Sequence, residues 1–280
     1  MNTEGDSNWD SPHILSVLFH PQQEHGSGVC PGVFDAVAIP VDGGATVGAR
    51  FYPTGTDTAK RDNPTILFFH GNGEIVADHH DAAFVYTGLG VNFMPVDYRG
   101  YGRSTGTPTV SAMLSDASAV LHFAQNWLGK RGHKGRLIAM GRSLGAAAAL
   151  ELAARHPDAV SGLIIESGFV DPLALLKRLG WHPSSGHEMH DTVFRHIEKI
   201  RRFSGPTLII HGTEDRIIPV SAAETLHLAS MSQQKRLVQI QGADHNSLLA
   251  TGFEEYFGAI SEFLFPGTQD GPGILLEASP

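Results

Sequence analysis

Arg136-Leu-Ile-Ala-Met140, Gly141-Arg142-Ser143-Leu144-Gly145 and the Ala-rich run that continues to Arg155 follow one another without a break. The first is an apolar run of strand length, the last has helical composition, and the five residues between them read G-x-S-x-G. A serine on a sharp strand-to-helix turn points its hydroxyl out at the edge of a sheet, and small flanking residues relieve the crowding there. The helix that follows, expected at about 144–156, directs backbone N–H groups and the positive end of its dipole toward that hydroxyl. This favours the oxyanion formed when a carbonyl is attacked. Ser143 is therefore the candidate nucleophile and the Leu144 N–H a candidate oxyanion donor. A bare G-x-S-x-G also describes a flexible turn; the strand before it and the helix after it separate the two readings.

On both sides of this turn, short apolar runs alternate with amphipathic segments, the pattern of a parallel sheet with crossover helices. The runs are Thr65–Phe69, Val91–Val96, Arg136–Met140, Gly162–Ile165, Pro206–Ile210 and Arg236–Ile240. Helices are predicted at about 75–88, 111–128, 144–156, 219–229 and 252–264. Pro95 lies inside one run and lacks an N–H, so that strand is expected to start late or bend. Phe34–Pro40 and Thr46–Pro53 flank Asp42-Gly43-Gly44, which suits an antiparallel hairpin at the sheet edge. Together these make about eight strands, mostly parallel. Residues 168–205 form the longest connection and are expected to be a small cap. Residues 1–32 read as an arm laid over the domain, 33–266 as the domain itself and 267–280 as a loosely held tail.

A serine hydroxyl needs a base to take its proton and a third group to hold that base. Leu208-Ile-Ile-His211-Gly-Thr-Glu-Asp215 ends one predicted strand with an acidic pair, and Ile240-Gln-Gly-Ala-Asp-His245 ends the next with a histidine. The order serine, acid, histidine places each group on a loop after a different strand. Position, and not residue type, selects His245 from sixteen histidines. Asp215 is the candidate acid, with Glu214 and Glu166 as competitors; Asp244 stands too close to its neighbour's ring. His211, before Gly212, reads as a structural turn contact.

The 280 residues are 41% hydrophobic and 18% charged, as in a soluble globular protein that folds by itself. A formal charge of −9 leaves no basic footprint for nucleic acid. One cysteine, Cys30, forms no internal disulfide and suits a reducing compartment. With no secretory signal, and no apolar run near the roughly 20 residues that span a bilayer, the expectation is a cytoplasmic protein without stable membrane insertion. His79-His80-Asp81 and the histidines His182, His187 and His190 beside Asp191 raise a metal reading, but their spacing matches no ligand pattern, and a solvated polar face is the plainer account.

His70-Gly71-Asn72-Gly73, Asp97-Tyr-Arg-Gly-Tyr-Gly-Arg-Ser104, the turn at 141–145, His211-Gly-Thr-Glu-Asp215 and Gly242-Ala-Asp-His245, in this order, resemble the α/β-hydrolase superfamily over roughly residues 35–265. The resemblance implies that fold, a mostly parallel sheet with helices on both faces. It implies an Asn72 N–H as second oxyanion donor, and a structural turn at Asp97–Ser104. It points to the small, lightly capped branch that includes lipid esterases and protein depalmitoylases, although the cysteine-rich N-terminal arm that anchors animal depalmitoylases is absent. Haloalkane dehalogenases share His-Gly-Asn but need an aspartate where this chain has Ser143. The expectation is hydrolysis of a small carboxylic ester or thioester through an acyl-enzyme, with no cofactor and no metal. A peptidase or amidase of the same fold and a non-catalytic ligand-binding descendant are the alternatives. Leu173–Trp181 suggests an apolar acyl group, and equally a face packed on the core. Oligomeric state is not legible.

Overall fold

β1 (Asp35–Pro40) and β2 (Thr46–Phe51) pair antiparallel, from Asp35 opposite Phe51 to Pro40 opposite Thr46. Gly43 and Gly44 between them take φ of +72° and +75°, a conformation that side chains with a Cβ resist. The computed structural model describes residues 9–25, 32–55, 61–182 and 190–267. Cys30, His187, the first eight residues and the tail from 268 lie outside them.

Six further strands complete one sheet: β3 (Thr65–Phe69), β4 (Asn92–Val96), β5 (Leu137–Arg142), β6 (Gly162–Glu166), β7 (Thr207–Gly212) and β8 (Lys235–Ile240). Their order is β1-β2-β4-β3-β5-β6-β7-β8, parallel from β4 onward. Every residue of β3 is buried, so alternate side chains serve two cores. Leu67 and Phe69 join a cluster with α3 (Val110–Lys130), α4 (Ala146–Arg155) and α7 (Val220–Ala229). Ile66 and Phe68 join another with α2 (His80–Gly88) and α8 (Leu248–Leu264). Helices thus cover both faces. The chain reverses its direction of progress at β3, with β4 on one side and β5 on the other. The carboxyl ends of β3 and β5 flank the crevice where such sheets carry their sites.

Pro95 lies inside β4 rather than delaying it. The Asn92 N–H bonds to the Pro64 carbonyl, so the N–H groups at even positions face β3. The missing donor of Pro95 therefore faces β2, where pairing is reduced to Tyr52 with Phe93 and Ala49 with Val96. The helix expected from 252 begins at Leu248, and Gly252 marks a kink within it.

Between β6 and β7 lie α5 (Pro172–Arg178) and α6 (His196–Arg202). Asp171 caps α5, its Oδ1 accepting from the Leu173 and Ala174 N–H groups. Leu175, Leu176, Trp181, Phe194 and Ile200 turn into the core. The arm is also anchored. α1 (Pro12–Leu18) buries Ile14 and Leu18, and Trp9 packs edge-on against Phe194 at 5.0 Å while donating to the His190 carbonyl.

Candidate active site

Ser143 follows β5 directly and holds φ of +51°, in the left-handed region a serine occupies at a cost of about 1–3 kcal/mol. The glycines around it have a packing reason. A Cβ at Gly145 would run into the carbonyl oxygens of Phe69 and His70, and one at Gly141 would strike Gly145. The serine turn therefore lies directly against the end of β3 and His70, two residues before Asn72.

The three widely spaced residues meet. Ser143 Oγ is 2.9 Å from His245 Nε2, and His245 Nδ1 is 2.7 Å from Asp215 Oδ2. With Nδ1–H donating to the carboxylate, Nε2 is left to accept from the serine hydroxyl. Asp215 Oδ1 takes the N–H groups of Ile217 and Ile218 at 2.9 and 2.8 Å. Burial works to raise the Asp215 carboxyl, but hydrogen bonds from His211 and His245 and the charge of His245 overcome it and hold it well below the usual range. The carboxylate is thus ionised wherever the imidazole is a working base. Ser143 keeps 9% of its surface exposed and His245 7%, so access to the hydroxyl is narrow.

The competing acids lie elsewhere. Glu214 is exposed, Asp244 accepts from the Asn246 N–H, and Glu166 accepts from the Tyr256 hydroxyl at 2.6 Å. His211 is a turn contact: its Nε2 donates to the Ile218 carbonyl at 2.7 Å, with Asp215 Oδ2 at 3.3 Å.

Around Asn72 the turn is held from two sides, by residues that sequence reasoning did not single out. Asn72 Oδ1 accepts from the His20 N–H at 2.8 Å and the Tyr101 hydroxyl at 2.9 Å, while its Nδ2 faces His20 Nδ1 at 2.8 Å. The arm thus reaches the segment expected to supply an oxyanion donor. On the other side, Glu74 Oε2 accepts from the Gly71 N–H at 2.9 Å and Glu74 Oε1 pairs with Arg142 at 2.9 Å. Burial would raise the Glu74 carboxyl; hydrogen bonding from His79, then the charges of Arg142 and His79, bring it down to about 2. Asp97 Oδ1 accepts from the Val76 N–H and stands 3.2 Å from His70 Nε2, tying the Asp97–Ser104 turn beneath the same loop.

Three of the residues behind the metal reading have other partners. His79 Nε2 stands by Glu74 and His80 Nδ1 by the Tyr52 hydroxyl, while Asp191 accepts from the N–H groups of Val193, Phe194 and Arg195. His182 and His190 are exposed. Among the described residues no three His, Cys, Asp or Glu side chains gather as a ligand set, and no described helix is long and apolar enough to cross a membrane.

The family model described as serine aminopeptidase, S33, matches residues 60–180. An uncharacterized protein of Mycobacterium tuberculosis is 31% identical over 251 residues, 85% of this chain and 81% of that protein. The alpha/beta hydrolase domain-containing protein 17B of Homo sapiens is 32% identical over 211 residues, 71% of this chain and 66% of that protein. The esterase Pf2001 of Pyrococcus furiosus superposes with a TM-score of 0.69 at 16% identity, over 88% of this chain and 98% of that one.

Proposed function

The chain belongs to the α/β-hydrolase superfamily, and on that footing we propose that this hydrolase is a serine enzyme cleaving a small carboxylic ester or thioester through an acyl-enzyme. The observation that carries the reading is the continuous relay from Ser143 Oγ through both nitrogens of His245 to Asp215. Ser143 Oγ attacks the carbonyl carbon while His245 Nε2 takes its proton, and the carbonyl oxygen becomes an oxyanion facing the N–H groups of Asn72 and Leu144. Collapse breaks the bond to the alcohol or thiol, which leaves with the proton from His245. Water then attacks the acyl-serine under the same base, releasing the acid and restoring the serine. Asp215 stays ionised throughout and stabilises the imidazolium. The chemistry uses no cofactor. The acidic balance and single cysteine fit a cytoplasmic setting.

The name of the matching family model raises a second reading, an aminopeptidase. Such an enzyme needs an uncompensated acidic group for the substrate's ammonium, and the carboxylates beside the serine turn, half-buried Glu74 and buried Glu166, are already spent on Arg142.

Ser143→Ala is expected to abolish turnover of p-nitrophenyl acyl esters and labelling by a fluorophosphonate, with an unchanged circular dichroism spectrum. Activity equal to that of the parent would refute the assignment. A panel of acyl esters by chain length, an acyl thioester and an aminoacyl amide separates esterase from peptidase.

A further inference from the structure

The variable residue of the G-x-S-x-G turn is not turned to solvent. Arg142 is mostly buried, and its guanidinium meets three separate segments. Nη1 pairs with Glu74 Oε1 at 2.9 Å on the loop after β3, and Nε with Glu166 Oε1 at 3.1 Å at the end of β6. Nη2 donates to the carbonyl oxygen of His245 at 3.0 Å and to Asn246 Oδ1 at 3.1 Å, on the loop after β8. Each carboxylate is engaged again on its far side, Glu74 by the Gly71 N–H and Glu166 by the Tyr256 hydroxyl.

From this arrangement we propose that Arg142 is a positioning residue that fixes the base and the oxyanion turn in register with the nucleophile beside it. The proposal rests on the serine hydrolase reading above. Three groups must be co-located for acyl transfer: the Ser143 hydroxyl, the His245 ring and the donor at Asn72. Arg142 is covalently adjacent to the first, holds the main chain of the second, and holds Glu74, which closes the turn containing the third. The His245 ring is thereby anchored at both ends, its Nδ1 by Asp215 and its backbone by Arg142. Burial by itself would depress the guanidinium, but Glu166 and Glu74 raise it above its ordinary value, so the cation persists at every pH where the imidazole works.

Only a planar fork with donors in three directions makes all these contacts; a lysine ammonium on the same stem serves one or two of them. Gly71 supplies the room, since a Cβ there would lie 2.9 Å from Arg142 Nη1 and 3.0 Å from Glu74 Oε1.

The experiment compares the full chain with Arg142→Met, Arg142→Lys, Glu74→Gln and Ser143→Ala. It reads kcat and KM on a p-nitrophenyl acyl ester, inhibition by a trifluoromethyl ketone, and the melting temperature. Displacing catalytic groups by about 1 Å costs on the order of 100-fold. Arg142→Met is therefore expected to lose about 100-fold in kcat with KM within about threefold, and to lose affinity for the ketone, whose adduct carries the oxyanion. Arg142→Lys recovers only part of kcat. Glu74→Gln, which keeps the side-chain volume and removes the charge that pairs with Arg142 and His79 at the oxyanion turn, loses about tenfold and carries the test if Arg142→Met does not fold. A folded Arg142→Met, or in its place Glu74→Gln, with kcat within threefold of the parent overturns the positioning role. If Ser143→Ala turns the ester over as fast as the parent, the hydrolase reading itself fails and takes this inference with it.

Discussion

Asp215 spends one carboxylate oxygen inside the loop that carries it and the other on the loop after β8. One fixes Ile217 and Ile218, and the other fixes the ring of His245. Asp215→Asn keeps the shape and the acceptor for the backbone but loses the charge and the enforced tautomer. It is expected to drop kcat by about ten-thousand-fold in steady-state kinetics, with little change in melting temperature. Activity near that of the parent would mean that another group holds the imidazole. That Ser143, Asp215 and His245 come together was legible in the sequence because each follows an apolar strand-like run, in the order serine, acid, histidine. Arg142, Glu74 and His20 were not. Their partners lie 68, 103 and 52 positions away, in loops whose juxtaposition follows from strand order rather than local pattern. The two glycines around Ser143 read as local relief, whereas Gly145 is also required by the distant carbonyls of Phe69 and His70.

Among the elements, α6 opens with a buried histidine. His196 donates from Nδ1 to the Phe169 carbonyl at 2.7 Å and packs among Phe169 and Phe194. Burial pulls it from the ordinary value of 6.5 down to about 3. Between those values the unfolded chain binds a proton that the folded chain refuses. Stability is full above pH 6.5 and declines as the pH falls toward 3, by up to about 1.4 kcal/mol per unit. His196→Gln is expected to flatten the pH dependence of the urea midpoint between pH 6.5 and about 5.5, above the range in which the unfolded chain protonates Asp215 and Glu74. The same slope in both proteins would contradict this. Strands were the easiest elements to foresee, because each buried run is continuous in the sequence and bounded by Gly, Pro or Asn. α1 was not foreseen: seven residues with weak periodicity in a Pro-, Gly- and His-rich segment form a helix through contact with the cap side of the molecule, not through local preference. Pro95 misled for a related reason, since whether a missing N–H matters depends on which neighbour the strand presents it to.

For the molecule as a whole, the arm from Trp9 to Glu24 spans several regions. Trp9 enters the cluster around Phe194, His20 locks the Asn72 side chain, and Glu24 pairs with Arg50 and Arg103. Trp9→Ala is expected to cost about 3 kcal/mol, read as a lower denaturation midpoint, and to expose the arm to limited proteolysis before the domain unfolds. An arm cut no faster than in the parent would show that its hold lies nearer His20 and Glu24. The sheet order has a further outcome in time. Ser143, the proposed nucleophile, hangs from β5 at the centre, while Asp215 and His245, the proposed acid and base, hang from β7 and β8, the last two strands in the chain and the outermost on that side. As the polypeptide leaves the ribosome, its serine is in place long before the group that must deprotonate it. On the proposed serine hydrolase reading, the nascent chain lacks its base until the final edge strand docks, and hydrolysis is expected to begin only then.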